Sequence, residues 1–295
     1  MKNKKIFIVG SGIMGRGIAQ VSAQSNYEVF LSDINKKIVE DSIEIIEKGL
    51  KKQVLKGKIT NSRIAEILKK ITPVETLEKC AETELIIEAI SEDLEKKQSI
   101  FKILDELASP EIVLASNTTS CSITEIAAAT KNPERVVGMH FFNPAFIMPL
   151  VEIMPGLFTA KLILKKTKEI ALQMGKEPVI LRKEGPAGIT SRVLSALLNE
   201  AVWVFHEGIS TIEEIDKAII FGCNHKMGPF ALIDLIGIDI HLAKTKMLYK
   251  KTGDPRYRPC YFLEQMVSSG RIGKKVGKGF YDYTKNPPEP ITLIK

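Results

Sequence analysis

Residues 6–15 of the chain read Ile6-Phe7-Ile8-Val9-Gly10-Ser11-Gly12-Ile13-Met14-Gly15. The four apolar residues predict a buried strand, and the G-x-G-x-x-G spacing after them is typical of the turn that leads from such a strand into a helix of a dinucleotide-binding unit. The first glycine permits the tight turn, the second lets the backbone approach a pyrophosphate, and the third lets helix and strand pack closely. The N–H groups at the start of that helix favour a bound phosphate. We therefore expect a pyrophosphate to be held by this turn, namely by Gly10, Ser11, Gly12, Ile13, Met14 and Gly15.

A carboxylate follows the second apolar run of the chain, residues 28–32, at Asp33. In that position it can accept hydrogen bonds from both ribose hydroxyls and repels a 2′-phosphate, so NAD is favoured over NADP as the cofactor. The alternative is a glycine turn without a ligand and an Asp33 that only caps the next helix. The strand before the glycines, the helix after them and the acid at the second strand together favour dinucleotide binding.

Short apolar runs alternate with helical patterns in the first part of the chain, and they cover residues 6–9, 28–32, 85–89, 112–115, 136–139, 151–154 and 177–181. This alternation predicts a parallel, doubly wound sheet with right-handed crossovers, an α/β fold of the Rossmann type. The composition changes near Glu184-Gly185-Pro186, and the later patterns are helical over residues 191–206, 211–221, 230–250 and 257–269. We therefore predict an NAD-binding Rossmann-type domain at residues 1–184 and an all-α domain at residues 185–295.

The connection between the second and third apolar runs is too long for a single crossover helix. Apolar residues recur there at helical spacing, first at Val39, Ile43, Ile46, Leu50 and Val54. Gly57 is expected to end that helix, and Thr60 or Asn61 to begin a second one that carries Ile64, Ile67, Leu68 and Ile71. The pattern predicts a helical hairpin that projects from the sheet and turns its lysines outward.

The formal net charge is +7, and part of the excess lies on this hairpin. No acidic residue occurs between Lys48 and Arg63, whereas the basic residues there are Lys48, Lys51, Lys52, Lys56, Lys58 and Arg63. Such a stretch is either a solvated helix face or a surface that attracts a polyanionic ligand. Nucleic acid is disfavoured as that ligand, because aromatic residues make up 6% of the chain and none is interleaved with these lysines.

The composition excludes several classes of protein. Apolar residues make up 44% and charged residues 26% of the chain, as is ordinary for a soluble globular protein, and no apolar run is long enough for a membrane span. The four cysteines lie far apart without a Cys-x-x-Cys pair, so we expect a reducing, cytoplasmic compartment, no disulfide framework and no bound metal. The lysines before Ile6 resemble the start of a secretory signal, but the glycines after Val9 interrupt the apolar run and favour a first strand.

Polar side chains follow the apolar runs where the strands of the predicted sheet end. Glu92 follows the third run, residues 116–120 follow the fourth, His140 ends the fifth, and Glu152 lies within the sixth. Because ligands of open parallel sheets bind beyond the carboxyl ends of the strands, His140 is the natural general base and Glu152 the carboxylate that orients it. The alternatives are a hydrogen-bonded core histidine and a surface acid.

The chain resembles the short-chain 3-hydroxyacyl-CoA dehydrogenases, and among them most closely the bacterial members that act on 3-hydroxybutyryl-CoA. The resemblance extends over essentially the whole chain. Beyond the glycine turn it is carried by Ala115-Ser116-Asn117-Thr118-Thr119-Ser120, Gly138-Met139-His140-Phe141-Phe142-Asn143-Pro144, Met227-Gly228-Pro229 and Gly277-Lys278-Gly279-Phe280-Tyr281. The segment around His140 is the most specific, since many unrelated dehydrogenases share the glycine turn.

The resemblance implies reversible hydride transfer between NAD and the 3-position of a hydroxyacyl-CoA, with His140 and Glu152 as the acid/base pair. It also implies that the helical domain closes the acyl pocket and forms a homodimer. Residues implied to contact or surround the cofactor are Asp33, Glu92, Lys97, Thr119, Asn143 and Lys275. Lys52 and Lys56 are implied to meet the CoA phosphates, which suits the basic hairpin.

Two positions depart from the family pattern and are expected to affect acyl preference and rate. Thr119 stands where the family usually has Ser, and its extra methyl group narrows the site near the thioester. Ser191 stands where the family usually has Asn, and a hydroxyl reaches less far than an amide. Both hydroxyls are expected to orient substrate oxygens. Two other functions are compatible with the residues: an NAD-dependent dehydrogenase of a free hydroxy acid or sugar acid, and a non-catalytic NAD-binding protein.

Overall fold

The computed structural model describes residues 4–291, and the chain divides into two compact units, Met1–Gly188 and Ile189–Lys295. The first unit is built on one sheet. In chain order its strands in the described residues are β1 (Lys5–Val9), β2 (Glu28–Ser32), β3 (Ile71–Val74), β4 (Leu85–Glu88), β5 (Val113–Ser116), β6 (Val136–Phe141), β7 (Leu150–Pro155) and β8 (Glu177–Ile180). Their order across the sheet is β3-β2-β1-β4-β5-β6-β7-β8.

Helices cover both faces of this sheet, which is why its strands are apolar on both sides. Ile6 and Ile8 of β1 belong to one apolar core, whereas Phe7 and Val9 belong to the other. The helices of the first unit are α1 (Ile13–Gln24), α2 (Lys36–Leu55), α3 (Asn61–Leu68), α4 (Leu94–Leu107), α5 (Ile123–Ala127) and α6 (Lys161–Gln173). The predicted α/β class with a helical hairpin, here α2 and α3, is confirmed.

Two features of the sheet differ from the sequence prediction. Ile71 was assigned to the second hairpin helix, but it begins β3 and pairs with Val29 of β2. This strand contains Pro73, which an edge strand tolerates because one side of it makes no ladder hydrogen bonds. In addition, β7 runs antiparallel to β6, whereas the other neighbouring pairs are parallel. The connection over residues 142–149 holds no crossover helix, so the chain simply reverses.

The second unit is helical, as predicted. Its helices in the described residues are α7 (Thr190–His206), α8 (Ile212–Cys223), α9 (Pro229–Ile236), α10 (Ile238–Thr252) and α11 (Tyr261–Ser268). The pattern over residues 230–250 predicts one helix, but Gly237, with φ of +107°, separates α9 from α10. The all-α prediction did not include the short antiparallel pair that follows α11, formed by β9 (Tyr281–Asp282) and β10 (Glu289–Pro290). No helix within residues 4–291 combines the length and apolar character that a bilayer crossing requires.

Candidate active site

His140 and Glu152 face each other across the antiparallel pair of strands. His140 of β6 lies directly opposite Glu152 of β7 in the register of the ladder, so both side chains point to the same face of the sheet. They are 6% and 1% exposed. The Nδ1 atom of His140 lies 3.4 Å from Oε2 of Glu152. The antiparallel turn that the sequence did not predict is thus what places this pair together.

The other ring nitrogen of His140 meets a hydroxyl group. Oγ1 of Thr119 lies 3.0 Å from Nε2 of His140, and Asn117 of the same loop accepts a hydrogen bond of 2.8 Å from the backbone N–H of Phe141. With Nδ1–H donating to the carboxylate, Nε2 carries the lone pair and accepts from the hydroxyl. Phe142 packs against the imidazole with a centroid distance of 4.5 Å. Nε2 is therefore the ring atom available to exchange a proton with a ligand.

Glu92 holds the loop that presents Thr119. Its Oε1 atom accepts from the Thr118 hydroxyl (2.6 Å), from the N–H groups of Thr119 (2.8 Å) and Ser120 (2.7 Å), and from the Ser120 hydroxyl (2.8 Å). Burial by itself raises the pKa of Glu92, but the hydrogen bonds from Thr118 and Ser120 and the nearby Lys97 ammonium outweigh it and lower the pKa overall. Glu92 therefore acts here as an ionised anchor for the loop, and its contact with a cofactor stays a prediction.

A buried ion pair lies at the ends of β4 and β5, next to this loop. Nζ of Lys97, which is 1% exposed, is 2.7 Å from Oε1 of Glu88 and 3.5 Å from Oε2 of Glu92. The Ser116 hydroxyl donates to Oε2 of Glu88 at 2.6 Å. Lys97 was expected to contact the cofactor. In the structure its ammonium group forms this ion pair with Glu88, and its contact with a cofactor stays a prediction. Sequence reasoning missed Glu88, although an acid inside an otherwise apolar strand is a signal for a buried cation.

The glycine turn meets the steric demands of its motif. A Cβ atom at Gly10 would lie 2.7 Å from the Ala89 carbonyl oxygen, and one at Gly15 would lie 1.7 Å from the Gly10 carbonyl oxygen. At Gly12 nothing lies within 4 Å of that position, so the backbone there is open to a ligand. Asp33 accepts hydrogen bonds from the Ser11 N–H (2.6 Å) and hydroxyl (2.8 Å). These residues fit a dinucleotide: an open helix start with a carboxylate beside it.

The loop after β6 carries Asn143 and is fixed by a lysine that sequence reasoning missed. Nζ of Lys176 donates to the carbonyl oxygens of Ala145 (2.5 Å) and Met148 (2.9 Å), and burial lowers its pKa. Residues of this loop, α1 and α2 line an open cavity of about 250 Å³. Its polar lining includes Arg16, Gln20 and Asn143. The Nε2 atom of Gln20 is buried without a hydrogen-bond partner in the described part of the chain.

The remaining predicted residues are not brought to His140 within the first unit. Lys52 and Lys56 lie exposed at the end of α2 and have no ion-pair partner within residues 4–291, whereas Lys51 pairs with Glu47. Ser191 is buried in α7 of the second unit, and Lys275 of that unit forms an ion pair of 2.7 Å with Asp239. Over the same described range, no group of three or more His, Cys, Asp or Glu side chains could hold a metal ion.

Comparisons with known proteins cover almost the whole chain. A model of the "3-hydroxyacyl-CoA dehydrogenase, NAD binding domain" matches residues 5–184, and one of the "3-hydroxyacyl-CoA dehydrogenase, C-terminal domain" matches residues 189–283. A probable 3-hydroxybutyryl-CoA dehydrogenase of Bacillus subtilis (strain 168) is 41% identical over 96% of this chain and 98% of its own. A 3-hydroxybutyryl-CoA dehydrogenase of Clostridioides difficile is 41% identical over 95% of this chain and all of its own. The crystal structure of (S)-3-hydroxybutyryl-CoA dehydrogenase from Ralstonia eutropha has a TM-score of 0.91 and 38% identity, covering 96% of this chain and 99% of that one.

Proposed function

Because the chain belongs to the 3-hydroxyacyl-CoA dehydrogenase family, we propose that it interconverts (S)-3-hydroxyacyl-CoA and 3-ketoacyl-CoA, with NAD as the hydride carrier. The proposed substrate is short, and 3-hydroxybutyryl-CoA is the first compound to test. The observation that supports this most directly is the imidazole of His140, with Glu152 on one nitrogen and the Thr119 hydroxyl on the other.

In the proposed reaction His140 acts as the general base. Its Nε2 atom takes the proton of the substrate 3-hydroxyl as the C3 hydrogen leaves as hydride, and a ketone forms. Glu152 accepts from Nδ1–H and stabilises the imidazolium that results, and in the reverse direction the same imidazolium returns the proton. The Thr119 hydroxyl now lies beside Nε2 of His140. In the proposed complex the substrate oxygen lies between these two groups and accepts a hydrogen bond from the hydroxyl. NAD, when bound, supplies the hydride acceptor.

The first unit contains the residues proposed to hold NAD. Residues 10–15 would bind the pyrophosphate, and Asp33 would bind the ribose hydroxyls. Asn143 lies in the loop that follows His140, and Glu92 holds the loop that carries Thr119. Both would surround the reactive end of the cofactor. Lys97 and Lys275, each in an ion pair, remain proposals that rest on the family resemblance.

The CoA part of the substrate is proposed to lie along α2. Lys52 and Lys56 offer free ammonium groups to its phosphates, since neither is neutralised by a neighbouring acid among the described residues. The cavity between α1 and α2 has room for part of the pantetheine arm, and Gln20 would donate there to an amide carbonyl. Ser191 is proposed to orient the acyl group.

Two further proposals concern assembly and compartment. The second unit exposes large apolar side chains such as Phe221, Tyr261 and Ile209, which supports a homodimer formed through this unit. Sedimentation at equilibrium would test this, and a monomer at micromolar concentration would contradict it. In the described part of the chain Cys80, Cys223 and Cys260 are free thiols, which supports a reducing, cytoplasmic location.

The decisive test measures NADH formation from NAD with (S)-3-hydroxybutyryl-CoA and, as a control, with free 3-hydroxybutyrate. We expect turnover only with the thioester. His140→Gln should lower kcat by about 10²–10⁴-fold and leave the Kd for NAD unchanged, because the ring is used for proton transfer. Turnover of the free acid alone would favour a hydroxy-acid dehydrogenase, and NAD binding without turnover of either would favour a non-catalytic protein.

A further inference from the structure

The hydroxyl group of Ser11 lies inside the glycine turn and reaches the carboxylate of Asp33. Ser11 is fully buried, and its Oγ atom donates to Oδ2 of Asp33 at 2.8 Å. The carbonyl oxygen of Ile38 lies farther from Oγ, at 3.5 Å. Because a hydroxyl has one proton and a charged acceptor makes the stronger hydrogen bond, this proton goes to the carboxylate. The side chain of Ser11 is therefore bound to Asp33 and not turned towards a phosphate.

Two donors from this one residue fix the orientation of Asp33. The Ser11 N–H donates to the same Oδ2 atom at 2.6 Å, and the Ile34 N–H donates to Oδ1 at 2.8 Å. Ser11 is itself anchored, since the Ser42 hydroxyl of α2 donates to its carbonyl oxygen at 2.7 Å. A carboxylate that turned away would leave a buried hydroxyl and a buried N–H without an acceptor, which is unfavourable. The side chain of Asp33 is thus held in place before a cofactor binds.

A carboxylate held in this way affects the choice of cofactor. A ribose with two free hydroxyls can donate to it, whereas its charge repels a 2′-phosphate. NADP can be accommodated only if the side chain of Asp33 turns out of the way, and the bonds from Ser11 oppose that movement. We propose that Ser11 is a positioning residue for cofactor selectivity: its hydroxyl keeps the carboxylate of Asp33 where a 2′-phosphate would lie. The inference rests on the proposed function, which assigns the ribose hydroxyls to Asp33.

The first test is Ser11→Ala, which removes the hydroxyl and keeps the backbone N–H donor. Calorimetric titrations with NADH and with NADPH measure the Kd of each cofactor without turnover. We expect Kd for NADH to rise about 3-fold, because the carboxylate is less ordered, and Kd for NADPH to fall about 3-fold, because the carboxylate can turn away. The ratio of Kd for NADPH to Kd for NADH should therefore fall about 10-fold, as is typical for the loss of one hydrogen bond to a charged group.

The matched control is Ser42→Ala. Ser42 is also buried, and its hydroxyl bonds to the backbone of Ser11 and not to Asp33. The control therefore removes a buried hydroxyl from the same cluster without removing a donor to the carboxylate. Its Kd ratio should stay within about 2-fold of the parent value. A ratio that fell equally in both variants, or an equal weakening of both cofactors in Ser11→Ala, would overturn the proposal, because either result would assign the effect to the fold of the turn.

A double-mutant cycle with Asp33→Ala shows whether Ser11 acts through the carboxylate. Asp33→Ala alone should lower the Kd ratio, because the repelling charge is gone. In that background Ser11→Ala should change the ratio by less than about 2-fold, since the group through which it acts is absent. The same fall in both backgrounds would mean that Ser11 acts independently of Asp33 and would overturn the proposal. An unchanged ratio in Asp33→Ala would refute the ribose contact of Asp33 and the inference with it.

These titrations distinguish failure of this inference from failure of the proposed function, because they need no substrate. If the parent protein oxidises (S)-3-hydroxybutyryl-CoA and the Kd ratio of Ser11→Ala equals that of the parent, the proposed activity stands and the inference is wrong. If the ratio falls in Ser11→Ala and is kept in Ser42→Ala while the parent protein oxidises no hydroxyacyl thioester, the inference stands and the proposed activity is refuted.

Discussion

Removing one partner of the Lys97–Glu88 pair should destabilise the first unit more than any exposed ion pair does. Both side chains are almost fully buried, and their charged atoms are 2.7 Å apart. Lys97→Met leaves the carboxylate of Glu88 with the hydrogen bonds from Ile90 N–H (2.7 Å) and the Ser116 hydroxyl (2.6 Å). Breaking a buried pair costs about 3–5 kcal/mol, and these two remaining bonds put our expectation at the low end, about 3 kcal/mol.

Removing the negative charge of the pair is expected to cost less stability than removing the positive one. Glu88→Gln keeps an oxygen acceptor for the ammonium of Lys97, which also retains Glu92 at 3.5 Å. We expect a loss of about 1–2 kcal/mol. The double variant Lys97→Met with Glu88→Gln has lost both buried charges of the pair, so neither is left without its partner. It should therefore be at least as stable as Lys97→Met alone.

Urea titrations followed by circular dichroism measure these free energies of unfolding. The control is Lys51→Met, which breaks an exposed pair of similar length, 2.6 Å to Glu47, and should cost less than about 1 kcal/mol. If the losses of the two single variants simply added in the double variant, within about 0.5 kcal/mol, the two charges would not be coupled and the reasoning would be wrong.

Two further predictions concern substrate affinity and pH. Replacing Lys52 and Lys56 with alanine should raise KM for acetoacetyl-CoA and weaken the salt dependence of that KM. KM for the N-acetylcysteamine thioester, which lacks the phosphates, should not change. Equal effects on both substrates would show that these lysines are only solvated and do not bind the CoA phosphates. Burial, with Lys244 adding to it, lowers the pKa of His241 to about 4 from its ordinary 6.5, so the unfolded state binds the extra proton first. The free energy of unfolding of the second unit should therefore not depend on His241 above pH 6.5, and it should fall by about 3 kcal/mol as the pH drops towards 4. Thermal melts at several pH values would measure this. If His241→Gln kept the full pH dependence, other groups would be responsible for it.

The sequence was most informative where backbone geometry restricts the choice of residue. The glycines at 10 and 15 are required because another side chain would meet backbone atoms, so their spacing, together with the apolar run before them, predicted the strand, the turn and the helix. Runs such as Ile6–Val9 predicted strands correctly because both faces of the sheet are covered, so that neighbouring residues enter different cores.

Sequence reasoning failed where distant residues decide the outcome. Ile71 continues the helical pattern of α3, but hydrogen bonds to β2 draw it into an edge strand. Periodicity does not report strand direction, so the reversal between β6 and β7 was missed, although the roles of His140 and Glu152 were inferred. Lys176 looks like an ordinary charged residue in the sequence, because the carbonyl oxygens that it binds lie about thirty residues earlier in the chain. Glu88 did carry a signal, as an acid within an apolar strand, but its partner Lys97 lies on the next helix and was not linked to it.

The reversal of the chain between β6 and β7 makes one part of the site tolerant and another intolerant of length change. The alignment of the two strands runs from Val137 opposite Pro155 to Phe141 opposite Val151. A change of length confined to residues 146–149 would alter the loop after Asn143 and still leave His140 opposite Glu152 in the register of the two strands. A single residue inserted within either strand would move one member of the pair to the other face of the sheet, so a change of length is better placed in the connecting segment than in the strands.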